Sequence, residues 1–344
     1  MSIMPYTPNP PCRGMFKDAY KYCRNHPDQY LEHLKRTGLE IQKIARQILL
    51  DYLPEETWEN SCVMVTGSDA RYEKDSSLSP LELIVFHQGG PNPSLDERIR
   101  DIVSRFDIFD NRVEVKFSEE VGKEYLKYSP GAGKGKVIPS RILDSIFLVG
   151  NESAFQECKS LIPRGIQLLS SKDINSFATD FLSKPKRALK GMRETAEVAT
   201  QKGLKYISLP YERKSYALAT KYTHLRVLQY TIVQRLAAIV RNKKHENYEL
   251  VKGILPQLPS GIRERLHFLY EKGILKITQE QLEDLIWAYN LSLMTYIGAQ
   301  WASRFMNVTT HEVPIKLKDF KKASKIIDEF SENRDIWALA LPKK

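Results

Sequence analysis

With 344 residues, the chain exceeds one typical domain and is expected to form two. A composition of 42% hydrophobic, 27% charged and 10% aromatic residues supports a substantial core and excludes disorder by composition. No apolar run approaches the roughly 18 residues of a membrane span, and the net charge of +10 is carried without regularly interleaved aromatics, so nucleic acid ranks below a plain solvated surface as its explanation.

Residues 1–27 carry clustered Pro8, Pro10 and Pro11 and no basic segment followed by an apolar one, which reads as a tail rather than a secretory signal. Cys12, Cys23, Cys62 and Cys158 form no CxxC pair and have no histidine at metal-ligand spacing, so a reducing, cytoplasmic setting is expected. Over residues 28–52, Leu31, Leu34, Ile41, Ile44, Ala45, Ile48, Leu49 and Tyr52 recur at helical spacing until Pro54 stops the pattern. Two apolar runs, 61–66 and 81–87, then read as strands flanking a polar loop that opens with Gly67 and Ser68. A glycine leaving a strand lets the backbone turn sharply, and Gly-Ser can offer amide groups and a hydroxyl to a phosphate. Gly89, Gly90, Pro91 and Pro93 mark a loop, and residues 95–106 fit a helix turning Ile99, Ile102 and Val103 inward. Residues 112–117, RVEVKF, are a third strand with Val113, Val115 and Phe117 on one face and Arg112, Glu114 and Lys116 on the other.

Residues 127–137, KYSPGAGKGKV, fail as a phosphate-binding P-loop, because Pro130 stands at the required glycine and Val137 follows the lysine; the stretch reads as a linker. After Pro163 strand-like runs become rare and long helical periods take over, at 217–240 and at 279–306. His224, His245 and His267 lack the mutual spacing of a metal site, and Trp58, Trp287, Trp301 and Trp337 read as packing residues. The expected organisation is a tail (1–27), an α/β domain (28–162) and an all-α helical bundle (163–344), an α+β protein as a whole.

The stretch VMVTGSDARYEKDSSLSPLELIVF, residues 63–86, resembles the polymerase-beta-like nucleotidyltransferases. It is most similar to the branch of uridylyl- and adenylyltransferases that modify protein PII and glutamine synthetase. That branch has Gly-Gly or Gly-Ser at a strand end, an Arg three residues on, often a Glu, then Ser-Asp-X-Asp or Ser-Asp-X-Glu. Gly67, Ser68, Arg71, Glu73, Ser79 and Glu82 match, whereas Pro80 stands where the first acid belongs and the spacer is longer by one residue. The resemblance implies a small mixed-sheet core, with Glu114 on the third strand as the match of the third carboxylate. In residues 139–162, Leu143, Asp144, Phe147, Leu148, Gly150 and Asn151 follow the segment after the catalytic core of that branch, where a structural role for Asp144 is expected. Residues 225–234, LRVLQYTIVQ, are similar to a Leu-Arg-Asp-Ile-Glu/Gln segment of the same enzymes but lack the preceding glycine-rich turn, so Arg226 and Gln229 also read as a plain polar helix face.

The resemblance implies transfer of NMP from a nucleoside triphosphate such as ATP to a hydroxyl of a protein or small molecule, with magnesium held by carboxylates. Glu82 and Glu114 are the implied catalytic residues and metal ligands, with Asp69 and Asp75 as substitutes for the acid lost at Pro80. Gly67, Ser68, Arg71, Glu73 and Ser79 are the implied nucleotide-binding residues, although Arg71 pairing with Glu73 to brace the loop is an equal reading. Two functions follow: an active transferase, or a pseudoenzyme of the same fold that binds a nucleotide or a protein. A nucleic-acid-tailing enzyme, supported by charge alone, ranks third.

Overall fold

The computed structural model describes residues 26–73, 80–111, 113–118, 139–168, 183–212, 224–306, 310–333 and 335–337. The described residues divide into two compact units, the first drawn from the stretches 31–174 and 236–261 and the second from the stretches 26–30, 175–235 and 262–337.

Helix α1 (Pro27–Tyr52), which belongs to the first unit from Leu31 onward, opens with proline, whose missing N–H costs nothing at a first turn, and has Asp28 beside the positive end of the helix dipole. Leu34, Gln42, Ala45 and Leu49 form its buried stripe. Ile44 and Tyr52, expected inside, lie at its edge and are exposed. A 3-10 turn (Glu55–Trp58) leads into β1 (Ser61–Val65), and the short helix α2 (Gly67–Ala70) follows. Next come β2 (Leu83–His87), α3 (Pro93–Arg105) and β3 (Glu114–Phe117). Asn92 starts α3 by accepting the Leu95 amide at 3.2 Å, with Pro93 at the first helical position. The unit continues through α4 (Pro139–Leu143), β4 (Ile146–Gly150) and α5 (Glu152–Leu168), the last running through Pro163.

The sheet order is β3-β2-β1-β4. β1 runs antiparallel to both β2 and β4, while β2 and β3 are parallel, as the crossover through α3 requires. One face carries Val63, Val65, Leu83, Val85 and Val115 against Leu49, Leu53 and Trp58 and against Leu95, Ile99, Ile102 and Val103 of α3. Burial of those apolar surfaces is the main force holding the sheet to its helices. The other face presents Cys62, Met64, Ile84 and Phe86, and the first unit's α5 packs against β1, β2 and β4.

Among its described residues, the second unit is helical apart from one pair of strands. Helices α6 (Ser183–Gln201), α7 (Arg226–Arg241), α8 (Tyr248–Ile254), α9 (Ile262–Glu271), α10 (Gln279–Met306) and α11 (Leu317–Glu332) follow in order, α7 reaching into and α8 lying within the stretch assigned to the first unit. Strands β5 (Tyr206–Glu212) and β6 (Thr310–Lys316) pair antiparallel, Tyr206 opposite Lys316 and Glu212 opposite Thr310. The expectation of an all-α bundle after residue 163 is therefore corrected. Pro210 and Pro314 obscured both strands, but in a two-stranded ribbon every strand is an edge, where a missing donor is tolerated. Helix α10 buries Leu282, Leu285, Ala288, Tyr289, Leu293, Tyr296 and Ile297 and packs against α9, α11 and β6. Gln229 is buried and Arg226 bonds it, so these two are not a solvated helix face. Trp58 and Trp337 are buried packing residues as expected, and Trp337 donates from Nε1 to the Phe330 carbonyl at 3.4 Å.

Candidate functional site

The site grows from the junction of β1 and α2. Thr66 is extended (φ −131°), and Gly67 then turns the chain with φ +73°, a value that disfavours every residue with a Cβ. Crowding adds a second reason: a Cβ at Gly67 would lie 3.1 Å from Glu82 Oε2. The Thr66 amide donates to the Glu82 carbonyl at 3.0 Å, which fixes the start of β2 beside the end of β1.

Glu82 and Glu114 share one face of the sheet. Ile84 stands opposite Glu114 in the parallel register, and Glu82 lies two residues before Ile84, so the alternation of side chains puts both glutamates on the same side. There they meet a single cation. Arg141, on α4, donates to Glu82 Oε2 at 2.6 Å and forms an ion pair with Glu114 Oε1 through its other terminal nitrogen. Its carbonyl accepts the Thr66 hydroxyl at 2.8 Å, so main chain and side chain are both anchored at this junction. The three side chains are about one-third exposed, 32% for Arg141, 31% for Glu82 and 28% for Glu114, and solvent reaches the cluster.

The remaining residues of the loop turn inward. Ser68 and Asp69 are buried on α2. Arg71 is buried too, and its Nε donates to Glu73 at 2.8 Å while Nη1 donates to Asp144 at 2.6 Å. The bracing role thus describes Arg71 and Glu73 as the structure places them, and it makes Asp144 structural as expected. Tyr72, at φ +53°, sits in a left-handed turn held by its amide to the Asp69 carbonyl (3.2 Å) and by the Glu73 amide to the Ser68 carbonyl (2.9 Å). Pro80 is exposed. Asp75 and Ser79 lie outside the described residues.

Among the described residues, the donors do not form the near-octahedral oxygen set that a magnesium ion requires. Glu82 and Glu114 each commit an oxygen to Arg141, Asp69 is buried, and among the described residues no group of three His, Cys, Asp or Glu side chains can hold a metal.

The structure adds two features that the sequence did not reveal. Arg141 is one; its partners lie in distant segments, and no local spacing announces the pairing. The other is a buried relay in which Ser61 Oγ and His87 Nδ1 lie 2.7 Å apart and His87 Nε2 and Asp96 Oδ1 2.8 Å apart. These are the residue types of a hydrolase triad, but Ser61 is only 3% exposed and no substrate reaches its hydroxyl. The relay ties β1, β2 and α3 together by satisfying polar groups at the edge of the core. Cys62 and Cys158 are both buried; burial pushes the Cys62 thiol up and holds that of Cys158 at about 12, which makes both inert. No protein-family model and no curated protein matches this chain.

Proposed function

We propose that this chain is a nucleotidyltransferase-like module that has lost metal-dependent transfer and binds a nucleoside triphosphate at the Gly67–Ser68 turn. The observation that carries the reading is the Glu82–Arg141–Glu114 cluster. Two carboxylates on neighbouring strands of a mixed sheet, beside a glycine turn, are the arrangement a nucleotidyl-transfer site needs, and here a guanidinium stands between them. Pro80 points the same way, since its side chain offers no ligand for the first acid. Transfer to a hydroxyl draws its largest catalytic contribution from charge held ready at the reacting phosphate, and two carboxylates already paired with an arginine are not free to hold a metal charge there. The matched loop residues Gly67 and Ser68 support nucleotide binding, with Arg71, Glu73 and Asp144 bracing the loop behind them.

Calorimetry with ATP, UTP, GTP and CTP, each with magnesium and with EDTA, tests this. At least one nucleotide should bind, equally in both conditions. No labelled nucleotide should pass to any acceptor in a lysate. Binding of none of the four overturns the nucleotide reading. Magnesium-dependent labelling that Glu82→Gln abolishes establishes the active transferase instead.

A further inference from the structure

We infer that Arg141 is a built-in counter-cation that takes the place of a divalent metal between Glu82 and Glu114 and keeps such metals out. This rests on reading the two glutamates as the remnant of an acidic metal site. Strand pairing forces the two carboxylates onto one face, where like charges in a partly desolvated setting repel unless a cation separates them. The guanidinium reaches an oxygen of each.

The cluster is held on three sides. The Thr66 hydroxyl holds the Arg141 carbonyl, Gly67 lies against Glu82 Oε2, and the register of β2 with β3 sets the position of Glu114. Lys116, two residues beyond Glu114 on the same face, is buried and adds a second positive charge on that side of β3. A tethered cation acts at an effective concentration of about millimolar or above, so an incoming ion gains little by displacing it. The charge balance explains why removal should open the site. With Arg141 the three groups sum to −1; without it two carboxylates stand together at −2, matched by one divalent ion. Glu114 Oε2 is buried with no hydrogen-bond partner among the described residues, an acceptor already withdrawn from water.

The test uses Mn²⁺ alone, with no nucleotide, read by the loss of the free-ion paramagnetic resonance signal. Wild-type protein should show no saturable site below about 1 mM, the range a tethered competitor sets. Arg141→Gln should take up one Mn²⁺ at least about tenfold more tightly than wild type, and the gain should vanish in Arg141→Gln/Glu82→Gln. If Arg141→Gln does not fold, Arg141→Met keeps the apolar stem and supplies the same measurement. A wild-type Mn²⁺ site lost in Glu82→Gln overturns the inference, and so does a folded Arg141 variant that binds none. Because nucleotide is absent, these outcomes judge Arg141 alone, whereas the nucleotide titrations of wild type judge the reading on which it rests.

Discussion

Arg71→Ala separates a brace from a phosphate ligand. The guanidinium is buried with the two carboxylates it serves, at 2.8 Å from Glu73 and 2.6 Å from Asp144, with all three side chains at most 3% exposed. Deleting one partner of such a buried charge cluster costs about 3–5 kcal/mol. Hydrogen exchange read on peptides covering β1 and β2 is the suitable assay, because it reports the first unit without assuming that the whole chain unfolds in one step. Amides there that exchange through opening of this unit should speed up by about a hundredfold to a few thousandfold, at tenfold per 1.4 kcal/mol. Replacing all three groups by neutral near-isosteres, Arg71→Met with Glu73→Gln and Asp144→Asn, should recover much of that loss, since no charge is then stranded. If Arg71→Ala exchanges no more than about tenfold faster, a cost of only 1.4 kcal/mol, yet loses nucleotide affinity, the brace is refuted and Arg71 is a ligand contact.

Three further outcomes are expected. Gly150→Ala should cost about 3–5 kcal/mol of first-unit stability, read by the same hydrogen exchange on β1 and β2, combining a strained backbone with overpacking: at φ +105° its Cβ would lie 2.5 Å from the Ser61 carbonyl oxygen and 2.9 Å from Cys62 Cα, and backbone atoms cannot swing aside. Burial holds His224 at about 4, well below its usual 6.5, and the ring lies 3.0 Å from Ser324 Oγ and 5.4 Å from the Phe320 ring. As pH falls from 6.5 towards 4 the unfolded chain takes up a proton that the native imidazole refuses, so second-unit stability should drop by up to roughly 3 kcal/mol. Asp328, raised mainly by its own burial, works in the opposite sense, so the difference between wild type and His224→Gln isolates the histidine; parallel pH profiles would refute the assignment. Finally, Cys62 and Cys158 should resist iodoacetamide at pH 8 in the native protein and react after unfolding, as mass spectrometry of the digested peptides would show.

The sequence by itself determined the local elements whose signals are short-range. The stripe of α1 around Leu34, Ala45 and Leu49, the stop before Pro54, the runs that became β1 and β2, and the inward Ile99, Ile102 and Val103 of α3 were all legible, because helix and strand periodicities lie within a few residues. So was the need for glycine at position 67, where the chain leaves a strand. The alternation of RVEVKF even separated Glu114 from its apolar neighbours. Tertiary structure alone decided the rest. The ribbon of β5 and β6 joins segments about a hundred residues apart, each interrupted by a proline that argues locally against a strand. Arg71 could face a phosphate or the protein on sequence grounds; Asp144, brought in from β4's approach, turned it inward. The meeting of Glu82 and Glu114 depends on the parallel register of β2 with β3, and Arg141 reaches them from α4, where its carbonyl accepts the Thr66 hydroxyl at the end of β1. Such contacts are invisible to periodicity because the free energy that selects them comes from pairing charges across the fold, and no spacing along the chain records which distant partner will arrive.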